Sequence, residues 1–97
     1  GDMYISGGEN VYPAEVEKVL KDHPDIQDAA VRGEPHDKWG ECGHAFIITT
    51  PGAHLTEADV RSHCKDSLAK YKCPSRISFR KEFPRTSLGK VRKTELS

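Results

Sequence analysis

Apolar residues recur along this chain in two rhythms, one helical and one extended. Ala14, Val16, Val19 and Leu20 share a stripe at helical spacing. Pro13 suits the first turn of that helix, Glu15 and Glu17 suit its positive end, and His23-Pro24 stops it. A second helix is predicted after Thr56, because Thr56 with Asp59 forms a capping-box pattern and Val60, Cys64 and Leu68 recur every four residues until Pro74. That spacing makes Cys64 a core residue. The extended rhythm starts at the N-terminus, where Tyr4 to Ser6 and Val11-Tyr12 flank a Gly7-Gly8-Glu9-Asn10 turn and predict a hairpin. Ile26 to Arg32 reads as a strand, Gly33 to Lys38 as a loop, and Trp39-Gly40 as the close of that loop. His44 to Thr50 is apolar on both faces and so predicts a central strand, followed by a Pro51-Gly52 turn. Arg76 to Arg80 alternates strictly, giving a strand with one wet, basic face. Beyond a loop at Gly89-Lys90, Val91 to Leu96 predicts a last short helix. The fold class is therefore α+β: a small mixed β-sheet packed with two to three helices and preceded by an N-terminal β-hairpin.

Length and composition hold this to one domain. The chain has 97 residues, 35% of them hydrophobic, which allows one modest core under a large surface. Net charge is zero but unevenly spread. Residues 1–69 carry six Lys/Arg against thirteen Asp/Glu, and residues 70–97 carry nine against two. The basic final third is a surface for phosphates or an acidic partner, unless the chain's own acidic part neutralises it. Cys42, Cys64 and Cys73 cannot all pair with one another, and no signal-peptide pattern is present, so reduced thiols and a cytoplasmic setting are expected. No apolar run reaches membrane-spanning length. The histidines lack zinc-ligand spacing, so no metal site is expected. The sequence supports no Ser-His-Asp or Cys-His arrangement. Trp39 reads as a loop anchor in the core, with a stacking platform for a planar ligand as the rival reading.

The stretch from Phe83 to Lys93 stands apart. Pro84 and Gly89 bracket a short loop, and Lys90 follows the glycine directly. Glycine opens backbone conformations closed to other residues, and a lysine set at such a tip suits a phosphate or a developing negative charge. A solvated surface lysine is the plain alternative. The stretch is not a Walker A loop, since Pro84 stands where that motif has its first glycine and Val91 where it has a hydroxyl residue.

Two segments together resemble a known family. Asp2-Met3-Tyr4-Ile5-Ser6-Gly7-Gly8-Glu9-Asn10-Val11-Tyr12-Pro13-Ala14-Glu15-Val16-Glu17 resembles a signature of the adenylate-forming enzymes, and most of all of their acyl-CoA synthetase branch. Pro84-Arg85-Thr86-Ser87-Leu88-Gly89-Lys90-Val91 is similar to their C-terminal lysine motif, and Asp37-Lys38-Trp39-Gly40-Glu41 fits between them. The resemblance covers essentially the whole chain.

It implies that residues 1–97 are a single mobile C-terminal domain of a longer ligase, whose large N-terminal domain binds ATP, magnesium and the acyl substrate. Such enzymes form an acyl-adenylate, then transfer the acyl group to coenzyme A, the small domain rotating between the steps. On that basis Lys90 is the catalytic lysine of adenylation. Gly7, Gly8 and Glu9 lie beside the pantetheine tunnel, and Trp39, Tyr71 and Lys72 face the nucleotide end of coenzyme A. Two positions that are basic in some members are Cys73 and Ser75 here, with Arg76 and Lys72 the nearby cations. The family's hinge residue, Asp or Lys, falls at the position of Gly1, so the resemblance assigns the hinge role to no residue of this chain. The sequence around Lys90 also resembles a context that lysine acetyltransferases modify. A carrier-protein-loading adenylation domain is the alternative within the family. A basic nucleic-acid-binding module, using Arg76, Arg80, Lys81, Arg85, Lys90 and Arg92, is the alternative outside it. Only Phe79 and Phe83 interleave with that charge and no such motif appears, so no nucleic-acid partner is expected.

Overall fold

The first two strands form a hairpin tighter than the sequence suggests. β1 (Tyr4–Ser6) and β2 (Glu9–Val11) pair antiparallel, with Ser6 opposite Glu9 and Tyr4 opposite Val11. Gly7 and Gly8 alone make the turn, at φ of 58° and 85°. Two successive positive φ values give the turn whose twist matches paired strands, so Glu9 and Asn10 are released into β2. The computed structural model of the chain describes residues 2–97, and Gly1, where the resemblance puts the hinge, lies outside them.

Helix α1 (Pro13–Lys21) begins on its proline as expected and buries Pro13, Val16 and Leu20. Ala14, expected on the apolar stripe, is exposed, and Pro13 takes the inner place. β3 (Ile26–His36) runs four residues past its expected end, through the segment read as a loop. It pairs antiparallel with β4 (Gly40–Thr49) in a long hairpin that turns at residues 37–39. Gly33 and Glu34 thus belong to the ladder, opposite Gly43 and Cys42. After the Pro51-Gly52 turn, α2 (Glu57–Ser67) opens on the expected capping box. The Thr56 hydroxyl accepts the Asp59 N–H at 3.1 Å, and the Asp59 carboxylate accepts the Thr56 N–H at 2.9 Å. A 3₁₀ turn at Lys70–Lys72 leads into β5 (Arg76–Phe79).

β4 is the central strand. One of its edges carries β3; the other carries β1 at Gly40 and β5 from His44 to Ile47. β5 runs parallel to β4 while the other pairings are antiparallel, so the sheet is mixed, and the β4–β5 crossover passes through α2. The alternation of side chains along β3 and β4 feeds two cores. Ala29, Val31, Ala45 and Ile47 face the helices with Val16, Leu20, Val60 and Cys64. Ala30, Phe46 and Ile48 face the other way and are covered by Phe83 and Leu96 of the C-terminal segment. That segment ends in a 3₁₀ turn, Lys93–Glu95, shorter than the helix expected over 91–96. Its role in the fold is to seal the second face, and this fixes the base of the Lys90 loop.

Candidate functional site

The Lys90 loop is a small hairpin. Arg85 and Val91 form a bridge, and the Arg92 N–H donates to the Pro84 carbonyl at 2.8 Å. At the tip, Thr86 brackets Lys90: the Thr86 N–H donates to the Lys90 carbonyl at 2.8 Å, and the Thr86 hydroxyl accepts the Lys90 N–H at 3.1 Å. Gly89, at φ 86°, donates to the Thr86 carbonyl at 2.9 Å and makes the reversal possible. Lys90 and Leu88 are both exposed, Leu88 at 95%. Among the described residues the Lys90 ammonium forms no ion pair, whereas Arg85, Arg92 and Lys93 each do. The loop borders a shallow groove of about 450 Å³ whose floor includes Ala29 and Ala30 of β3.

A second groove, of about 400 Å³, opens at the other end of the sheet and shares no lining residue with the first. His36, beside the turn that carries Trp39, lies six positions along β3 from Ala30, or about 20 Å at strand rise. This groove gathers Gly7, Trp39 and Tyr71 with Lys70, Cys73 and Ser75. The Gly7 N–H donates to the Trp39 carbonyl at 2.9 Å, locking the first hairpin turn to the β3–β4 turn. A Cβ on Gly7 would touch the Trp39 ring at 3.4 Å, while one on Gly8 would project into open space. Trp39 anchors that loop by its backbone and not, as first expected, by a buried ring. The residue is 44% exposed, its ring stacked on His36 at 6.5 Å with the Lys38 ammonium 4.7 Å from its centroid. An exposed, braced indole beside a glycine turn can receive a planar or narrow ligand.

Glu9 and Lys72 stand outside this groove. Glu9 is exposed on β2. The Lys72 ammonium is 3.0 Å from the Glu15 carboxylate, which raises its pKa. Lys70, two residues earlier, lines the groove in its place. No sequence signal singles out Lys70 within Lys70-Tyr71-Lys72; the intervening 3₁₀ turn decides which lysine faces which way.

The basic final third folds back onto the acidic part of the chain. Arg76 pairs with Glu34 at 2.6 Å, Arg85 with Asp28 at 2.6 Å, and Lys93 with both Asp2 and Glu17 at 2.8 Å. Arg80 is turned to the Glu82 and Ser97 carbonyls. The charge separation seen in the sequence is thus partly neutralised in three dimensions. Among the described residues, no group of three His, Cys, Asp or Glu side chains is placed to hold a metal ion, and no helix is long and apolar enough to cross a membrane.

Comparison with known proteins points one way. The family described as AMP-binding enzyme C-terminal domain matches residues 15–90. The 2-succinylbenzoate–CoA ligase of Geobacillus kaustophilus is 50% identical over 95 residues, which are 98% of this chain and 19% of that enzyme. The peroxisomal trans-cinnamate:CoA ligase of Petunia hybrida is 43% identical over 95 residues, covering 98% and 17%. Among solved structures, a fatty acyl CoA synthetase of Mycobacterium tuberculosis superposes with a TM-score of 0.88 at 42% identity, over 96% of this chain and 18% of that one. An amide bond synthetase from Marinactinospora thermotolerans superposes with a TM-score of 0.93 at 35% identity, over 97% and 19%. The chain spans about a fifth of the length of the curated relatives it matches.

Proposed function

This chain belongs to the family of AMP-binding enzyme C-terminal domains, and from that premise we propose that it is the mobile C-terminal domain of an ATP-dependent acyl-CoA synthetase, an acid–thiol ligase. Its partner is the large N-terminal domain of the same enzyme, which supplies the ATP, magnesium and acyl pockets. In the first half-reaction the substrate carboxylate attacks the α-phosphate, forming an acyl-adenylate and releasing pyrophosphate. Lys90 reaches into that site and stabilises the negative charge shared by carboxylate and phosphate as they join. In the second, the domain rotates and turns the other groove towards coenzyme A, whose thiol displaces AMP. The Gly7-Gly8 turn keeps that edge free of side-chain bulk, while Trp39, Tyr71 and Lys70 meet the nucleotide end.

The observation that carries this reading is the separation of the two features: a lysine without an ion-pair partner among the described residues, on a braced hairpin at one end of the sheet, and an aromatic–glycine groove at the other. A domain with two working faces suits a two-step reaction. A reducing cytoplasmic setting accords with three free cysteines, two of them buried. The test uses the longer enzyme that carries this domain. Lys90→Ala is expected to cut pyrophosphate release by about 10²-fold or more and to spare acyl transfer from supplied acyl-adenylate to coenzyme A. Equal loss in both steps refutes the two-face mechanism. Transfer to a pantetheinylated carrier protein in place of coenzyme A would select the carrier-loading alternative. The 97-residue chain alone is expected to release no pyrophosphate.

A further inference from the structure

The Lys90 hairpin is tied to the sheet by a link that its own hydrogen bonds do not supply. The Thr86 bonds lie within the hairpin and fix the local backbone, but they leave its tilt on the sheet free. Arg85 makes the connection. Its Nη1 donates to the Gly89 carbonyl at 3.0 Å, and its Nη2 donates to Asp28 Oδ2 at 2.6 Å. One planar guanidinium therefore joins the peptide immediately before Lys90 to a carboxylate on β3, 57 residues away in sequence. A rigid fork can hold two acceptors at a fixed separation, which a lysine cannot.

Asp28 is itself held. Its Oδ1 accepts the Ala29 N–H at 2.8 Å, leaving Oδ2 for Arg85. It also sits where the β3–β4 register shifts, between Ile26 and Asp28. Such irregularities re-aim a side chain out of the regular ladder. As a stabilising pair the two contribute little, because their side chains are 40% and 27% exposed. Position is another matter, since a displacement of about 1 Å at a catalytic group can cost about 10²-fold in rate.

We infer that Asp28 and Arg85 form a positioning clamp that sets where the Lys90 amine points when the hairpin enters the adenylation site. Both act through Lys90, so the inference rests on the assignment of Lys90 to adenylation. It is tested in the full-length enzyme, with the two half-reactions assayed separately for Lys90→Ala, Arg85→Met, Arg85→Lys, Asp28→Asn and the double variant Asp28→Asn/Arg85→Met. Arg85→Met is expected to lower kcat for pyrophosphate release by about tenfold or more, with KM for ATP unchanged. Transfer from supplied acyl-adenylate should be retained, which also reports that the variant is folded. Arg85→Lys should recover part of the loss. Asp28→Asn should cost less, and the double variant should be no worse than Arg85→Met, because Asp28 acts only through Arg85. Additive losses in the double variant, equal damage to both half-reactions, or an intact adenylation rate in Arg85→Met overturns the clamp. If Lys90→Ala itself spares adenylation, the assignment of Lys90 falls and the clamp with it; loss at Lys90 without loss at Arg85 overturns the clamp alone.

Discussion

Tyr4 packs into a slot that Gly33 leaves open: a Cβ on Gly33 would lie 2.5 Å from the Tyr4 Cβ. Gly43, opposite Gly33 on β4, opens the rest of the slot to the phenol ring. This packing ties the first hairpin to the β3–β4 ladder and so places Gly7 beside Trp39. Gly33→Ala is expected to destabilise the chain by about 1–3 kcal/mol, the usual cost of overpacking, read from urea unfolding. An unchanged midpoint would mean that the slot relaxes freely.

The same slot leaves the Tyr4 hydroxyl buried and, among the described residues, without a hydrogen-bond partner, and burial pushes the phenol up to about 12. An unpaired buried hydroxyl costs stability, so Tyr4→Phe is expected to be neutral or to stabilise the chain by about 1 kcal/mol. A clear loss of stability would show that the hydroxyl has a partner.

Glu34 collects three donors on the sheet face it shares with Ala30 and Phe46: Arg76 at 2.6 Å, Arg32 at 2.8 Å and His44 at 2.8 Å. Burial alone would raise its carboxyl, but the hydrogen bonds from Arg76, Arg32 and His44 outweigh it and hold the group at about 2, against an ordinary 4.5. A carboxyl depressed on folding adds stability that is complete above the unfolded value and disappears as pH falls through the folded one. Stability should therefore decline between pH 4.5 and 2. Because the arginines are partly exposed, the Glu34 share is about 1–2 kcal/mol. Glu34→Gln should flatten that part of the profile, and an identical slope in the variant would remove Glu34 as its source.

Much of this architecture could be read from residues alone, and the failures share a cause. Pro13, the Thr56–Asp59 box and the Val60, Cys64, Leu68 stripe are local signals, and the helices formed where they pointed. Gly33 misled, because a mid-strand glycine that makes room for Tyr4 looks like one that breaks a strand. Trp39 misled similarly: burial of a lone tryptophan is a tendency, and its exposure here follows from a two-glycine turn that docks on its carbonyl. Lys90 stood out through its own neighbours. Asp28 did not, because its tie to the Lys90 hairpin exists only once β3 and the C-terminal segment have packed.

The groove yields a sharper discrimination than its residue types would suggest. Trp39→Ala in the full-length enzyme is expected to raise KM for coenzyme A by about 2- to 10-fold, the loss of one aromatic stack, with pyrophosphate release unaffected. Lys70→Met should do likewise. Lys72→Met should have less effect, because its ammonium is engaged by Glu15. A larger effect at Lys72 than at Lys70 would reverse this assignment. Gly8→Leu should block thioester formation by bulk, and Gly8→Asn, which better tolerates the positive φ, separates bulk from turn strain.

Exposure and pairing also set which lysine an acetyltransferase can reach. Lys90 stands on a braced tip with its side chain in solvent and no carboxylate partner among the described residues. Lys93, three residues on, is bound to Asp2 and Glu17 at 2.8 Å, and Lys81 is exposed away from the tip. Incubating the domain with a bacterial lysine acetyltransferase and acetyl-CoA, then mapping sites by mass spectrometry, should give Lys90 first, with Lys93 protected. Acetylation removes the charge and most of the donor capacity on which the role proposed for Lys90 depends. In the full-length enzyme, pyrophosphate release should fall with the extent of Lys90 modification, and deacetylation should restore it. The fold should barely respond, since the Lys90 backbone, and not its ammonium, carries the hairpin bonds. Labelling of Lys81 as fast as Lys90 would reduce the effect to bare exposure. Acetylation of Lys90 without loss of adenylation would contradict its catalytic assignment.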